Sequence, residues 1–308
     1  MMRSLTHRLL AAFATLLAVS VVTFVALEAV PGDAASGLAG DSASAQQVQA
    51  VRAELGLDQP LLVRYEGFLG NLLHGDLGHS LVSNRAVLDL LLERLPCTLI
   101  LAVSATTLAL ILGLPLGIAA AARAGSRLDT LLMSGAALGL AIPTFLGALG
   151  LMLVFSVHLR WLPLLGVESA QGYILPTLAL ALPMTAALAR LMRSSLLDVL
   201  HSDYVRTARA KGLTPQRVMT YHVVRNSLLP VVTLLGLHLG HLLGGAFIVE
   251  TLFALPGLGR LTVQAIFDRD YPVVIGATLA LAGMYILINL AVDLAHGRLD
   301  PQVAGDAI

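Results

Sequence analysis

The sequence predicts an all-α membrane protein of about six transmembrane helices, with a helical insertion outside the bilayer after the first. Three observations predict it. Hydrophobic residues make up 57% of the 308 and charged ones only 12%, the mean hydropathy is +0.83, and apolar runs of spanning length recur along the chain. A soluble domain of this length would not keep such a composition in water. The 19 basic and 19 acidic residues cancel, so the basic excess that nucleic-acid phosphates demand is missing. The single cysteine, Cys97, excludes a disulfide framework and a cysteine-rich metal cluster, and reads as a small apolar residue at a helix start.

A helix needs about 20 apolar residues to cross a hydrocarbon core of roughly 30 Å. Runs of this kind lie at Leu9–Val30, Cys97–Ala122, Thr130–Val157, Ile174–Met192, Leu228–Val249 and Val273–Ala295. The first follows Arg3 and Arg8 like a secretion signal, but its apolar stretch is too long for one and predicts a retained helix. Pro115, Pro143, Pro176 and Pro183 fall inside runs and predict kinks, with a flexing point at Pro143.

Orientation follows from the arginines, which concentrate on the cytoplasmic side. With the N-terminus inside, the inner segments carry Arg3, Arg8, Arg123, Arg127, Arg190, Arg193, Arg206, Arg209, Lys211, Arg217, Arg225 and Arg298, which is 12 of the 19 positive charges. The outer segments then hold seven positive charges against eleven acids, among them Asp33, Asp76, Glu93, Glu168 and Asp270. This asymmetry predicts both termini in the cytoplasm. The outer segment Pro31–Pro96 has helical apolar spacing broken at Gly56 and Pro60.

The inner segment Arg193–Ser227 holds the chain's only lysine. Leu196–Lys211 contains no Gly or Pro and predicts one helix, with Arg209 and Lys211 at the end that favours positive charge. Gly212 suits a left-handed residue after it, and Thr214-Pro215 offers an N-cap and a first-turn proline for the next helix. The result is a helix corner presenting the short side chains of Thr207, Ala208 and Ala210 beside a cluster of positive charge, shaped to plug a partner's groove.

The stretch "YVRTARAKGLTPQRVMTYHVVRNSLLP", Tyr204–Pro230, resembles the EAA loop of ABC-importer permeases of the dipeptide, oligopeptide and nickel branch. Arg206-Thr207-Ala208 stands at the Glu-Ala-Ala triplet and Gly212 at the loop glycine. The glutamate is absent, and Leu229-Pro230 lies further downstream than in the generic loop, as is usual in the peptide branch. "VPGD" at Val30–Asp33, "LGLDQPLLVRY" at Leu55–Tyr65 and "HGDLGHS" at His74–Ser80 look like the same branch. So do the stretches at Glu250–Val274 and Asn289–Pro301.

The resemblance implies a type I ABC-importer permease fold. Residues 1–30 would be the first transmembrane helix and 31–96 an extracytoplasmic segment. Residues 97–295 would be the core permease domain, with cytoplasmic loop 193–227 and outer loop 251–272, and 296–308 a cytoplasmic tail. It also implies a second homologous permease subunit, two ABC ATPase subunits and an extracytoplasmic solute-binding protein. Residues Arg206, Thr207, Ala208, Arg209, Ala210, Lys211, Gly212 and Leu213 would then be the loop that couples to an ATPase. ATP and Mg would bind the partners, since Lys211 follows Ala210 and the phosphate-binding GxxxxGK[ST] motif is missing here. The chain would reside in the cytoplasmic (inner) membrane of a prokaryote and import peptides, with nickel or a metal chelate as the alternative.

Ionisable groups at membrane depth are costly and suggest function. Glu28 and Glu250, at outer helix ends, could line the pathway or snorkel to the interface. His238 and His241, three residues apart on one helix face, could offer part of a metal site or line a wet pathway. Gly236, Gly240 and Gly244 repeat at four-residue spacing beside Gly245 and predict a close helix approach. An ion-coupled secondary carrier would show two matching halves, whereas the long outer and inner segments here occur once each. A membrane enzyme would show a catalytic motif such as HExxH or GxSxG, and neither is present.

Overall fold

The computed structural model describes residues 2–29, 35, 44–54, 56–166 and 169–299, with the backbone alone at 2–5, 7, 54, 241, 243, 245 and 293–299. The motif at Val30–Asp33, the residues from 300 onward and the His241 side chain lie outside the described residues. Regular structure among the described residues is helical apart from a bridge between His79 and Ala86. The helices are α1 (Met2–Ala29), α2 (Ala45–Glu54), α3 (Leu61–Leu73), α4 (Val87–Ala122), α5 (Arg127–Ala141), α6 (Thr144–Leu151), α7 (Ile174–Leu200), α8 (Asp203–Ala210), α9 (Pro215–Arg217), α10 (Arg225–Leu252), α11 (Leu258–Phe267) and α12 (Tyr271–Leu299). π-helical segments continue α6 over Met152–His158 and join α9 to α10 over Val218–Val224.

Among the described residues, five helical stretches are long and apolar enough to cross a membrane: Arg8–Ala29, Val87–Ala122, Ala170–Leu200, Pro215–Gly240 and Tyr271–Val292. The third predicted run departs from expectation. Thr130–Val157 is two helical pieces, bent by 102° between Ala141 and Thr144. Ile142, held extended ahead of Pro143, ends α5, and Pro143 starts α6 without an amide hydrogen to continue the ladder. The other prolines do not break their helices: α4 runs on through Pro115, α7 through Pro183, and Pro176 sits in the first turn of α7. The second span also starts earlier than its apolar run, because α4 begins at Val87 and takes in Pro96, which places Cys97 inside a helix, buried.

One compact unit comprises Met1–Thr98 and Pro256–Ile286. Its core is Val87, Leu90, Leu91, Leu258, Ala265, Val273, Val274 and Ala277. The predicted breaks at Gly56 and Pro60 separate α2 from α3, with Gly56 at φ +65°. α1 meets α3 through polar and aromatic contacts: Ser20 Oγ lies 2.8 Å from Tyr65 Oη, Phe24 packs edge-on to Tyr65, and Arg64 pairs with Glu28 at 2.8 Å. The outer loop predicted at 251–272 contains the α11 helix, whose Leu258, Leu261 and Ala265 pack into the core. Its start is fixed by the Leu258 amide donating to Thr98 Oγ1 at 2.9 Å. Buried Asp270 accepts from Ser80 Oγ at 2.5 Å and from the Leu81 amide at 3.0 Å, holding the "HGDLGHS" turn.

The second unit comprises Leu99–Leu255 and Leu287–Ile308, and α7 is its hub. α7 packs against α5, α6 and α10 and is the most buried of the spans. Gly113 and Gly117 of α4 let that helix run almost backbone to backbone against α7. A Cβ at Gly117 would stand 2.5 Å from Ala189 O and 2.7 Å from Met192 Cβ. Ser104 and Thr177 hydroxyls meet at 2.9 Å across the same pair of helices. Of the predicted glycine face on α10, Gly236 does meet a helix, since a Cβ there would press on Val292 at 3.0 Å, whereas Gly244 faces open space.

Candidate functional site

The corner forms, but not as one helix from Leu196 to Lys211. α7 ends at Leu200, where Ser202 Oγ donates to Val199 O at 2.6 Å and the His201 ring lies 2.7 Å from Leu197 O. Side chains that engage the last carbonyls of a helix compete with its continuation. Ser202 turns extended and stands at the N-cap of α8, a two-turn helix with Asp203 in its first turn. At the far end Gly212 has φ +80°, the left-handed conformation that glycine adopts without strain. Thr214 is extended and Pro215 opens the next helix, as expected, although the Thr214 side chain makes no capping hydrogen bond.

α8 presents one face and buries the other. Tyr204, Arg206, Thr207, Arg209, Ala210, Lys211 and Gly212 are exposed and Leu213 is half-buried, while Val205 and Ala208 are buried. Ala208 therefore does not belong to the presented surface, contrary to the sequence expectation. A residue three positions from Val205 falls on the same side of a helix, and that side is the one packed against the π segment Val218–Val224. Buried Val218 and Val223 supply the apolar side of that segment. Thr207 Oγ1 donates to Asp203 O at 2.9 Å, and Arg206 reaches Asp203 at 3.3 Å in an exposed pair of little energetic weight.

Polar ties fasten the corner to the spans. The Asn226 amide donates to Tyr204 Oη at 3.0 Å and to His222 O at 2.9 Å, joining α8, the π segment and α10. Ser195 Oγ of α7 donates to Ser227 O of α10 at 3.1 Å, both residues buried. Further along α7, Arg193 grips Asp129 of α5 through Nε at 2.6 Å and Nη2 at 2.7 Å. In the sequence, Arg193 stands out only as one of the positive charges of an inner segment. The Ser126-x-x-Asp129 spacing of an N-terminal cap was readable, and Ser126 does accept from the Asp129 amide, but nothing in the spacing pointed to an arginine 64 residues on.

Of the candidate pathway residues, Glu28 stands on α1 and His238 and Glu250 on α10. Glu28 is paired with Arg64, Glu250 is fully buried at the end of α10 with its carbonyl accepting from the Leu255 amide, and His238 is half-buried in α10. An open groove of about 690 Å³ runs along α4 and α7, lined by Leu99, Val103, Ser104, Ile111 and Thr177 among others. Its polar side chains are hydroxyls, so its walls offer no charge to an ionic solute.

The family described as binding-protein-dependent transport system inner membrane component matches residues 113–305, and the N-terminal component of the same systems matches residues 1–102. The chain is 44% identical over 305 residues to the glutathione transport system permease protein GsiC of Escherichia coli strain K12, covering 98% of this chain and 99% of that one. It is 43% identical over 303 residues to the protein of the same description from Salmonella typhimurium, with the same coverage. Among solved structures, an inward-facing MetNI methionine ABC transporter superposes with a TM-score of 0.58 at 19% identity, over 69% of this chain and 97% of that one. An amino acid ABC transporter with histidines superposes with 0.54 at 18% identity, over 68% and 94%. These two similarities concern the fold.

Proposed function

Because the chain belongs to the binding-protein-dependent transport system inner membrane component family, and is the permease of an ABC importer, we propose that it imports a small peptide of the glutathione class. The observation that carries the substrate class is the end-to-end match to permeases described as glutathione transporters. Nickel, the alternative raised by His238 and His241, is not favoured by these relatives.

In this reading the exposed face of α8 seats in a groove of an ABC ATPase subunit. The partners bind ATP and Mg, and their closure drives the corner. The buried side, Val205 and Ala208, carries that motion to the π segment, the Tyr204–Asn226 tie carries it to α10, and Ser195–Ser227 carries it to α7. A second permease of the same family completes the pathway, and an extracytoplasmic binding protein delivers the peptide. The arginine distribution supports a cytoplasmic corner and cytoplasmic termini.

Uptake by the reconstituted importer tests the substrate. Vesicles holding the complex with its binding protein are expected to accumulate labelled glutathione or dipeptides in an ATP-dependent manner, and not nickel. ATP-dependent nickel accumulation without peptide uptake would overturn the reading.

A further inference from the structure

Directly after the corner, a shallow polar cleft of about 520 Å³, open to the surface, runs along one helical stretch and is lined by Arg217, Tyr221, His222, Arg225 and Asn226. Arg217, Tyr221 and Arg225 recur every four residues and form one stripe along the π segment, whose wider turn keeps that spacing nearly in line. Both arginines are exposed, and among the described residues neither side chain has a hydrogen-bond or ion-pair partner. No acid occurs in the sequence between Asp203 and Glu250, so the chain supplies no nearby counter-charge from this stretch. We propose that this cleft is a binding site for the phosphate headgroup of an anionic phospholipid.

Position favours lipid over any soluble anion. Arg225 stands three residues before Leu228, where the apolar part of the span begins, and Tyr221 is an exposed phenol one turn earlier. Tyrosine and arginine at that level match the headgroup layer, with acyl chains lying along the apolar helix beyond. Two guanidinium forks and the Tyr221 hydroxyl suit a phosphodiester, whose oxygens accept several hydrogen bonds at once. The exposed face of α8, carrying Arg206, Arg209 and Lys211, is a separate surface and the one assigned to the ATPase. A lipid held beside Asn226 would brace the helix to which Tyr204 is tied, so the charge of the membrane would set how firmly the corner is seated.

The test uses the intact importer in nanodiscs of phosphatidylcholine with or without phosphatidylglycerol. Phosphatidylglycerol retained after detergent washing is counted by native mass spectrometry, and ATP turnover is measured in both lipids. Wild type is expected to retain phosphatidylglycerol and to be stimulated by it. The double variant Arg217→Gln/Arg225→Gln is expected to bind it roughly tenfold more weakly and to lose the stimulation, with Tyr221→Phe intermediate. Arg123→Gln, a surface arginine elsewhere, is expected to leave retention unchanged.

Equal losses in Arg123→Gln would show diffuse attraction and overturn the site. Displacement of the lipid by inorganic phosphate alone would make the ligand a free anion and overturn the lipid assignment. Unchanged retention with failed ATPase assembly in the double variant would assign the stripe to acidic groups of the ATPase instead. None of these results depends on which peptide is imported, so the substrate reading stands or falls separately.

Discussion

Arg193 and Asp129 form a two-pronged ion pair, 2.6 and 2.7 Å, that joins the first turn of α5 to the second half of α7. The carboxylate also accepts the Gly125 amide at 2.9 Å, so one side chain fixes both the turn before α5 and the helix that α5 packs against. Arg193→Lys keeps the charge but cannot supply two parallel donors. It is expected to cost about 2 kcal/mol, read as a lower midpoint in the thermal loss of helical ellipticity. Asp129→Ala is expected to cost more, because it leaves the guanidinium and the Gly125 amide without their acceptor.

In the proposed role of the corner, substitutions at Gly212 and Ala208 separate coupling from assembly. A side chain at Gly212 meets nothing within 4 Å, so Gly212→Val strains only the left-handed backbone, by about 1–2 kcal/mol. The protein is expected to insert and assemble while peptide uptake per ATP hydrolysed falls several-fold. Ala208→Glu is expected to act differently: it places a charge on the buried side of α8, detaches the corner from the π segment and lowers ATPase assembly itself. Co-purification of the ATPase subunits, measured alongside uptake, distinguishes the two outcomes.

The second unit is intolerant of a single methyl group at Gly117, where α4 crosses α7, and indifferent to one at Gly135 of α5. Gly117→Ala forces a carbon against Ala189 O and Met192 Cβ, and is expected to destabilise the second unit by about 1–3 kcal/mol. Gly135→Ala, where a Cβ meets nothing within 4 Å, is the matched control and is expected to be neutral or slightly stabilising. The yield of monodisperse protein after mild heating reports both.

Asp270 holds the "HGDLGHS" turn from across 190 residues of sequence. Asp270→Ala leaves the Ser80 hydroxyl and the Leu81 amide without their acceptor and is expected to loosen the turn by about 2 kcal/mol. Ser80→Ala removes one donor and is expected to cost about half as much. The rate of tryptic cleavage after Arg85, within the same loop, should rise in that order.

The helices of this chain were legible wherever apolar length decided the outcome, and the corner wherever glycine and proline did. Gly56, Gly212 and Pro215 act at the positions where their backbone preferences place them. At Pro143 the sequence predicts a bend but not a break, because a proline's effect depends on whether Ile142 before it stays helical, and apolar spacing is silent on that. Ser202 is not legible for a related reason: its hydroxyl ends α7 by a local bond to Val199 O, and no glycine or proline marks the break. Of the candidate site, the charged face of α8 was visible as composition. The buried role of Ala208, the Tyr204–Asn226 tie and the Asp129–Arg193 fork depend on which segments meet in space. The helical period of α11 was present in the sequence, and its Leu258, Leu261 and Ala265 spacing marks the face it buries.

The π segment between α9 and α10 makes the junction behind the corner a screw thread rather than a rod. A turn wound with one extra residue can relax to ordinary α geometry, and each residue so taken up rotates the helix beyond it by about 100° while advancing it by about 1.5 Å. Seven residues, Val218–Val224, stand in that wider winding, packed against α8 on the side away from its exposed face. In the proposed coupling, a short axial stroke at Gly212 would therefore leave as torque on α10, turning its side chains about the helix axis without lengthening the span.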